Sequence, residues 1–286
     1  MKLVTFRTTD GHHAVGRVDG SGEPDDAVVE IDIDGAPDVG ALLAIDGWQQ
    51  AAASADGQTH RLGDLDLAPV VPAPQKVLCV GLNYRNHILE MGRDLPEYPT
   101  LFAKFATTLT GPYDDIAAPV EDEALDWEGE LTIVIGRPCR RVDEQQAAGS
   151  IAGYTVANDI SMRTWQFRTK EWLQGKMWEA STPVGPMLVT ADEWQPGPAV
   201  STTVSGEKMQ DAPTSDLLFG PAFLVSYIST MITLQPGDLI LTGTPGGVGR
   251  ARKPERYLAA GDLVETTIEG LGTLHNKVVA DTSTGA

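Results

Sequence analysis

The sequence has 286 residues, of which 42% are hydrophobic and 21% charged, values ordinary for a globular protein with one large or two unequal domains. Its formal net charge of −19 argues against binding to nucleic acids or to anionic membrane surfaces, because both would repel it. No apolar run reaches the roughly 18–20 residues that span a bilayer, and the first residues read as a strand rather than a signal peptide, so we expect a cytoplasmic protein.

The first seventy residues are expected to form a small N-terminal α/β domain. Short apolar segments between Gly, Asp and Pro turns predict strands at 3–7, 13–18 and 28–33, and a helix follows over 39–53. The segment 67–74 contains three prolines, which exclude a helix and indicate an extended linker. We therefore predict a boundary between an N-terminal domain, 1–70, and a catalytic domain, 71–286.

The second region alternates short apolar strands with Gly and Pro turns and lacks the regular spacing of βαβ units. This pattern predicts a mixed, β-rich α+β fold. Asn83 and Gly92 are suitable N-cap and C-cap residues for a short helix after the first of these strands. The other predicted elements are strands at 76–81, 132–136, 153–158, 184–189, 239–242 and 263–268 and helices at 144–150 and 219–231.

The most informative feature is a pair of carboxylates at the start of the stretch 129–135, which alternates like a strand. Alternation places Glu128 and Glu130 two residues apart on the face opposite the apolar side chains, where their like charges repel. Asp159 ends another apolar strand and offers a third carboxylate. Three carboxylates plus water suit Mg²⁺ or Mn²⁺. The alternative is a solvated strand edge with Asp159 capping a turn.

Three further segments carry acid–base or anion-binding groups. His87 and Glu90 share one helix face at positions i and i+3, an arrangement that lets a carboxylate orient an imidazole base. Lys176 lies between a glycine and bulky apolar residues, where a pocket would let it meet developing negative charge. Thr244 adds a hydroxyl to a glycine-rich turn. The alternatives are that His87 and Glu90 form a surface pair, that Lys176 is solvated, and that the turn with Thr244 is purely structural.

Several other mechanisms find no support. The sequence has no G-x-S-x-G nucleophile motif, no H-E-x-x-H zinc helix and no C-x-x-C pair. Cys79 and Cys139 have no ligand-like spacing, and we expect both to be free thiols.

Taken together, the chain from residue 76 to 279 resembles the fumarylacetoacetate hydrolase family. Each motif is weak alone, but their order and spacing are specific. The landmarks are Val80-Gly81-Leu82-Asn83-Tyr84 with His87 and Glu90, the segment from Pro99 to Lys104, Glu128-Gly129-Glu130, Asn158-Asp159, Gly175-Lys176 and Thr242-Gly243-Thr244-Pro245.

This resemblance implies a fold and a set of roles. The fold would be a mixed β-roll behind a small N-terminal domain, usually as a homodimer. The implied roles are Mg²⁺ or Mn²⁺ ligands for Glu128, Glu130 and Asp159, a general-base dyad on a mobile lid helix for His87 and Glu90, charge stabilisation for Lys176, and substrate contacts for Gln166 and Thr244. The family usually has an acidic residue where this chain has Thr164, which affects loop packing more than chemistry.

The implied substrate is a small keto acid, and its far end is the least defined part. Arg85 and Arg168 are candidates for a second substrate carboxylate, although either suits a surface ion pair. The segment 162–178 is expected to contribute aromatic and cationic surface to the distal pocket.

Our first functional hypothesis is metal-dependent hydrolysis of a C–C bond in acylpyruvates, 2,4-diketo acids such as fumarylpyruvate that arise from aromatic ring cleavage, giving pyruvate and a carboxylic acid. An alternative keeps the same metal enolate without water: decarboxylation of oxaloacetate or isomerisation of an enol acid. A diketo sugar acid would fit the same site. A non-catalytic metal-binding protein would not need His87, Glu90 or Lys176.

Overall fold

The computed structural model describes residues 1–90 and 92–282. The strands are β1 (Lys2–Arg7), β2 (His13–Asp19), β3 (Ala27–Glu30), β4 (Thr59–Arg61), β5 (Asp66–Leu67), β6 (Val77–Gly81), β7 (Thr100–Lys104), β8 (Leu109–Thr110), β9 (Ile116–Ala118), β10 (Leu125–Asp126), β11 (Gly129–Ile135), β12 (Ile151–Asn158), β13 (Ser161–Met162), β14 (Thr182–Thr190), β15 (Ala199–Val204), β16 (Glu207–Pro213), β17 (Leu239–Leu241), β18 (Leu263–Ile268) and β19 (Gly272–Ala280). The α-helices are α1 (Val39–Leu43), α2 (Trp48–Ala53), α3 (Arg85–Glu90), α4 (Glu144–Ala148), α5 (Arg163–Gln166) and α6 (Pro221–Met231). None of these helices is long and apolar enough to cross a bilayer. The predicted β-rich α+β class is confirmed.

One large, mostly antiparallel sheet organises the chain. Its strands follow the order β4-β3-β2-β1-β14-β12-β11-β17-β6-β7, and β5 and β8 pair with β1 and β14. Strand β1 pairs with β14 through Leu3 and Leu188, so the N-terminal strands extend the sheet formed by the later ones. Leu3 and Trp48 also share a hydrophobic cluster with Val134 and Val184. Residues on both sides of the predicted boundary at residue 70 therefore share one sheet and one core.

Three predicted elements differ from those in the structure. The single helix expected over 39–53 is interrupted, because Gly47 adopts a left-handed φ of 78° between α1 and α2. The proline-rich segment before β6 is not helical, as expected, but its Val70 and Val71 are buried in the core rather than exposed in a linker. Asn83 does not cap α3: its buried side chain donates to the Phe219 and Thr242 carbonyl oxygens, at 3.1 and 2.8 Å.

A second sheet contacts the central strands, and most of its strands were not predicted from the sequence. It has the order β16-β15-β18-β19-β9. From β16, the Gln210 side-chain oxygen accepts a 3.0 Å hydrogen bond from the Gly129 N–H at the start of β11. Strands β15 and β16 are rich in Thr, Ser and charged residues, which is why apolar alternation did not predict them.

Strands β11 and β12 place the acidic residues at one end of the central sheet. They pair antiparallel, with Gly129 opposite Asn158 and Glu130 opposite Ala157. The next backbone contact is a 2.8 Å hydrogen bond from the Asp159 N–H to the Glu128 carbonyl oxygen. All seven residues of β11 are buried, so its acidic face lies inside the protein rather than at a solvated edge.

Candidate active site

The register of β11 and β12 gathers three carboxylates that are far apart in sequence. Ligand oxygens of Glu128, Glu130 and Asp159 all lie within 4.8 Å of one another. Glu130 and Asp159 are buried, and Glu130 Oε2 accepts a 2.7 Å hydrogen bond from the Gly243 N–H. Glu128 remains 12% exposed and lines a cavity. The structure thus excludes the alternative of three unrelated surface or turn residues.

Three cations surround this carboxylate cluster. Lys176 Nζ lies 2.8 Å from Glu128 Oε2 and 2.7 Å from Asp159 Oδ2. Lys104 Nζ lies 2.6 Å from Asp159 Oδ1. Arg163 Nη1 lies 2.6 Å from Glu128 Oε1. All three cations are buried, so each charge depends on its carboxylate partners for solvation.

Burial and neighbouring charges separate the proton affinities within this cluster. Burial, reinforced by the charges of Asp159 and Glu128, raises the pKa of Glu130 well above its ordinary value of 4.5. Burial also acts to raise the pKa of Asp159, but the ammonium groups of Lys104 and Lys176 outweigh it and lower that pKa. Burial acts to lower the pKa of Lys176, yet Asp159 and Glu128 outweigh it and raise that pKa. Lys176 therefore remains a cation.

The donor set fits a hard divalent ion. With the buried Asp126, which pairs with Arg163 at 2.8 Å, the region holds four carboxylates against three cations, leaving one excess negative charge if all are ionised. Each carboxylate oxygen has two lone pairs, so the ion pairs leave acceptor positions for a metal. Oxygen-only ligands of this kind suit Mg²⁺ and Mn²⁺. A divalent ion would remove the negative excess and favour an anionic substrate.

The imidazole of His87 reaches the same cavity from helix α3. The Asp216 carboxylate accepts a 3.0 Å hydrogen bond from the Asn86 N–H, which satisfies a free donor in the first turn of that helix. Burial lowers the pKa of His87 below its ordinary value of 6.5, while the negative charge of Glu90 acts in the opposite direction. Within the described residues no hydrogen bond joins the two side chains, so the predicted dyad is coupled here by charge.

A cavity of about 300 Å³ joins these groups. It contains five of the predicted site residues and several that were not predicted. Its walls consist of Val80, Gly81, Leu82, His87, Arg93, Phe102, Glu128, Arg163, Gln166, Phe167, Trp172, Lys176, Thr244, Val248, Arg250 and Ala251. Arg85 is exposed and lies outside this lining, so the structure does not bring this predicted substrate-binding residue to the site.

The two predicted polar substrate contacts are already engaged within the protein. Gln166 is buried, and its Oε1 accepts a 2.8 Å hydrogen bond from Arg163. The Thr244 hydroxyl donates to the Gly129 carbonyl oxygen at 3.0 Å and accepts from the Gln210 amide at 2.7 Å. Thr244 therefore offers a ligand an oxygen lone pair rather than a proton.

The aromatic segment 162–178 contributes only some of its side chains to the cavity wall. Phe167 and Trp172 line the cavity. Trp165 and Trp178 instead pack edge-to-face on each other with ring centroids 5.3 Å apart, away from the lining residues. Arg168, the other candidate for a second substrate carboxylate, covers the Trp165 ring at 3.5 Å.

Thr164, the departure from the family pattern, has a partner that accounts for it. Its N–H and hydroxyl both donate to Asp122 Oδ2, at 3.1 and 2.8 Å. Asp122 lies in the segment before β10. The loop is held without an acidic residue at position 164.

Sequence reasoning missed the roles of Lys104, Arg163 and Asp126. Lys104 ends an apolar strand, which is an available signal, since a charge there needs a partner. Arg163 follows Asp159 by four residues across a tight turn, and Asp126 precedes Glu128 by two. Both positions are also typical of solvated turn residues, so only the fold shows that these side chains meet.

Comparisons with known proteins agree with this geometry. The family model for the C-terminal region of fumarylacetoacetate (FAA) hydrolase matches residues 76–279. Oxaloacetate tautomerase Fahd2a, mitochondrial, of Rattus norvegicus is 44% identical over 216 residues, 74% of this chain and 69% of that protein. Oxaloacetate tautomerase FAHD2A, mitochondrial, of Homo sapiens is 43% identical over 217 residues, with the same coverage of both chains.

Solved structures are similar over nearly the whole chain. The 5-carboxymethyl-2-hydroxymuconate delta-isomerase from Mycobacterium smegmatis has a TM-score of 0.82 and 36% identity, covering 99% of this chain and 100% of that one. The fumarylacetoacetate hydrolase from psychrophilic Exiguobacterium antarcticum has a TM-score of 0.86 and 31% identity, covering 98% and 100%. These matches confirm the predicted fold. The chain belongs to the fumarylacetoacetate hydrolase family.

Proposed function

We propose that this protein is a divalent-metal-dependent enzyme that interconverts the keto and enol forms of oxaloacetate or a closely similar 2-oxo diacid. The observation that carries the proposal is the meeting of the carboxylate cluster, Lys176 and His87 around one cavity. The names of the relatives support it: the rat and human proteins are named as oxaloacetate tautomerases, and one solved structure is named as a 5-carboxymethyl-2-hydroxymuconate delta-isomerase.

In this proposal Glu128, Glu130 and Asp159 hold Mg²⁺ or Mn²⁺. When bound, the ion supplies positive charge that stabilises an enolate. Arg163 and Lys104 keep the ligand carboxylates in place through ion pairs of 2.6 Å to Glu128 and Asp159. The ammonium group of Lys104 also lowers the pKa of Asp159 and so favours its ionised form.

His87 and Lys176 move and stabilise charge in the reaction. Burial lowers the pKa of His87 and leaves the imidazole neutral near pH 7, so one ring nitrogen can accept the proton from C3 of the keto form. The Lys176 ammonium donates a hydrogen bond to the negative charge that develops on the 2-oxo oxygen. Return of this proton from the His87 imidazolium to that oxygen completes the enol and restores the neutral imidazole, and the reverse sequence restores the keto acid.

Hydrolysis of acylpyruvates, our first hypothesis from the sequence, is the second candidate. The proximity of Glu90 to His87 favours it, because a carboxylate that makes an imidazole more basic suits a base that deprotonates water. The leaving group in that reaction would be the enolate of pyruvate, which takes up a proton to give pyruvate. Decarboxylation of oxaloacetate would also form that enolate, but it needs no base.

Three substrates assayed side by side distinguish these functions. We expect purified protein with Mg²⁺ to accelerate the change in enol absorbance of oxaloacetate, and a chelator to abolish the acceleration. Pyruvate formed from fumarylpyruvate or acetylpyruvate, without faster oxaloacetate tautomerisation, would establish hydrolysis instead. Release of CO₂ from oxaloacetate would establish decarboxylation. His87→Asn should remove tautomerisation and hydrolysis but spare decarboxylation.

Metal binding is tested without turnover. Calorimetric titration with Mn²⁺ should show affinity weakened about tenfold or more in Glu130→Gln. Glu207→Gln, which alters an exposed carboxylate paired with Arg252, is the matched control and should bind as the unchanged protein does. Equal affinity in both variants would remove Glu130 from the ligand set.

We also propose that the protein is a homodimer and that it is cytoplasmic, as predicted from the sequence. The rat and human relatives are named as mitochondrial proteins. Sedimentation of the purified protein tests the first proposal, and fractionation of cells that produce it tests the second.

A further inference from the structure

The part of the cavity wall beyond the carboxylate cluster is largely apolar and carries two arginines. The apolar side chains include Val80, Phe102 and Trp172. Arg163 and Lys176 also line the cavity, but both are committed to buried ion pairs. Within the described residues, Arg93 and Arg250 are the lining cations that have no carboxylate partner.

The side chain of Arg250 is held in a way that leaves its donors available. Its guanidinium carbon lies 3.7 Å from the centroid of the Phe167 ring. Stacking occupies the face of a guanidinium and leaves its in-plane N–H groups free for a bidentate contact with a carboxylate. Among the residues that the structure describes, no side-chain or backbone oxygen accepts a hydrogen bond from this guanidinium.

The backbone of Arg250 is tied to the carboxylate cluster. Asp126 accepts hydrogen bonds from the Gly249 and Arg250 N–H groups, at 2.7 and 3.1 Å. The same carboxylate binds Arg163 Nε at 2.8 Å, and Arg163 binds Glu128. This chain of contacts sets the position of Arg250 relative to the end of the cavity that would hold the 2-oxo acid group.

Arg93 adds a second positive charge near the same space. It lines the cavity, and its charge is close enough to His87 to influence the proton affinity of that ring. A chain with a net charge of −19 repels a dianion at long range. Two arginines that have no carboxylate partner in the described part of the chain would offset that repulsion locally.

We propose that Arg250, supported by Arg93, binds the distal carboxylate of the substrate and makes the enzyme selective for 2-oxo diacids over 2-oxo monoacids. This inference rests on the proposed function only for the placement of the 2-oxo acid group at the carboxylate cluster. Arg250 acts through binding, and it takes no part in proton transfer.

A matched pair of stable ligands tests the inference without turnover. With Mg²⁺ present, we expect calorimetry to show tighter binding of 2-oxoglutarate than of 2-oxopentanoate, which has the same chain length but no distal carboxylate. Arg250→Met keeps an unbranched apolar stem beside Phe167 and should weaken 2-oxoglutarate binding about tenfold, the effect of losing roughly 1.4 kcal/mol. The affinity for 2-oxopentanoate should not change.

Two further variants sharpen the result. Arg252→Met, two residues away and paired with the exposed Glu207, should leave both affinities unchanged. Arg250→Lys keeps the positive charge but loses the bidentate guanidinium geometry, so its preference for 2-oxoglutarate should be larger than that of Arg250→Met and smaller than that of the unchanged protein. In turnover of oxaloacetate, Arg250→Met should raise KM with little change in kcat, whereas His87→Asn lowers kcat.

The outcomes separate this inference from the proposed function. The inference is overturned if the unchanged protein shows no preference for the diacid, or binds neither ligand. It is also overturned if Arg250→Met weakens the binding of both ligands equally. A diacid preference that depends on Arg250 in a protein that does not tautomerise oxaloacetate would support the inference and reject the function. If Arg250→Met leaves the KM and kcat of oxaloacetate tautomerisation unchanged, the proposed function is supported and the inference about Arg250 is rejected.

Discussion

Lys104 illustrates how a residue outside the cavity supports the site. Its ammonium is buried, lies 2.6 Å from Asp159 Oδ1 and does not line the cavity. The pair itself adds little net stability, because desolvation of the two charges offsets their attraction. Removing one partner is strongly destabilising, because the remaining buried charge is left without compensation. Lys104 therefore positions and neutralises a carboxylate from outside the cavity lining.

Replacing Lys104 with methionine should lower the free energy of unfolding by about 3–5 kcal/mol, because Asp159 loses one of its two buried cations. Urea denaturation measures the change. Lys208→Met is the control, since Lys208 forms an exposed pair with Asp211 and should alter stability very little. If the two variants are equally stable, Lys104 is not needed to neutralise Asp159.

Glu90→Gln should shift the acid limb of the kcat/KM profile to lower pH. In the proposed mechanism the neutral imidazole of His87 is the base, so activity should fall as pH drops through its pKa. Burial lowers that pKa, and the Glu90 charge partly restores it, so removing the charge lowers it further. Glu97→Gln, on the segment after α3, serves as control. A limb that stays in place or moves upward would show that Glu90 does not tune His87.

At the scale of elements, helix α3 and the glycine-rich turn after β17 must fit closely. A Cβ atom at Gly246 would lie 2.9 Å from His87 Nδ1 and 3.6 Å from Glu90 Oε2. The absence of a side chain at this position lets the helix approach the turn. The position of the His87 imidazole at the cavity thus depends on Gly246, which has no side chain to obstruct it.

Gly246→Ala should displace His87 and lower kcat/KM by about tenfold or more, since small displacements of a catalytic group are costly. The melting temperature should change little, because α3 is a short surface helix. Gly197→Ala, whose Cβ would meet no atom within 4 Å, is the control. Normal activity in Gly246→Ala would mean that the helix adjusts without moving the imidazole.

At the scale of the whole molecule, the N-terminal strands are part of the central sheet. Strand β1 pairs with β14, and β14 pairs with β12, which leads into Asp159. The N-terminal residues also cover one hydrophobic cluster of the later strands. The predicted boundary at residue 70 therefore does not coincide with a gap in the packing.

A fragment of residues 71–286 should not fold cooperatively. It would leave β14 without its β1 partner and expose apolar side chains that Leu3 and Trp48 cover. Circular dichroism during thermal unfolding should show a sharp transition for the full chain and none for the fragment. A fragment that unfolds cooperatively and binds Mn²⁺ would establish residue 70 as an independent domain boundary.

Local patterns were sufficient for much of the secondary structure. Strand β18 has the predicted bounds, and α6 and β11 differ from prediction only at their ends, because apolar periodicity and turn residues act over a few positions. The same patterns failed where a local signal was ambiguous. Gly47 interrupts a helical stretch, and the largely polar β15 and β16 pair in a second sheet whose Gln210 contacts the start of β11.

The sequence alone determined which residue types are available for the chemistry, namely three carboxylates, one imidazole on a short helix and a lysine beside a glycine, and the order of these motifs identified the family. The tertiary structure decided which charges meet. Lys104 lies 55 residues before Asp159, and Arg163 lies 37 residues after Asp126. Pairing over such distances depends on strand register and burial, which arise only when the whole sheet has formed. For the same reason Arg250, and not Arg85, lies at the cavity.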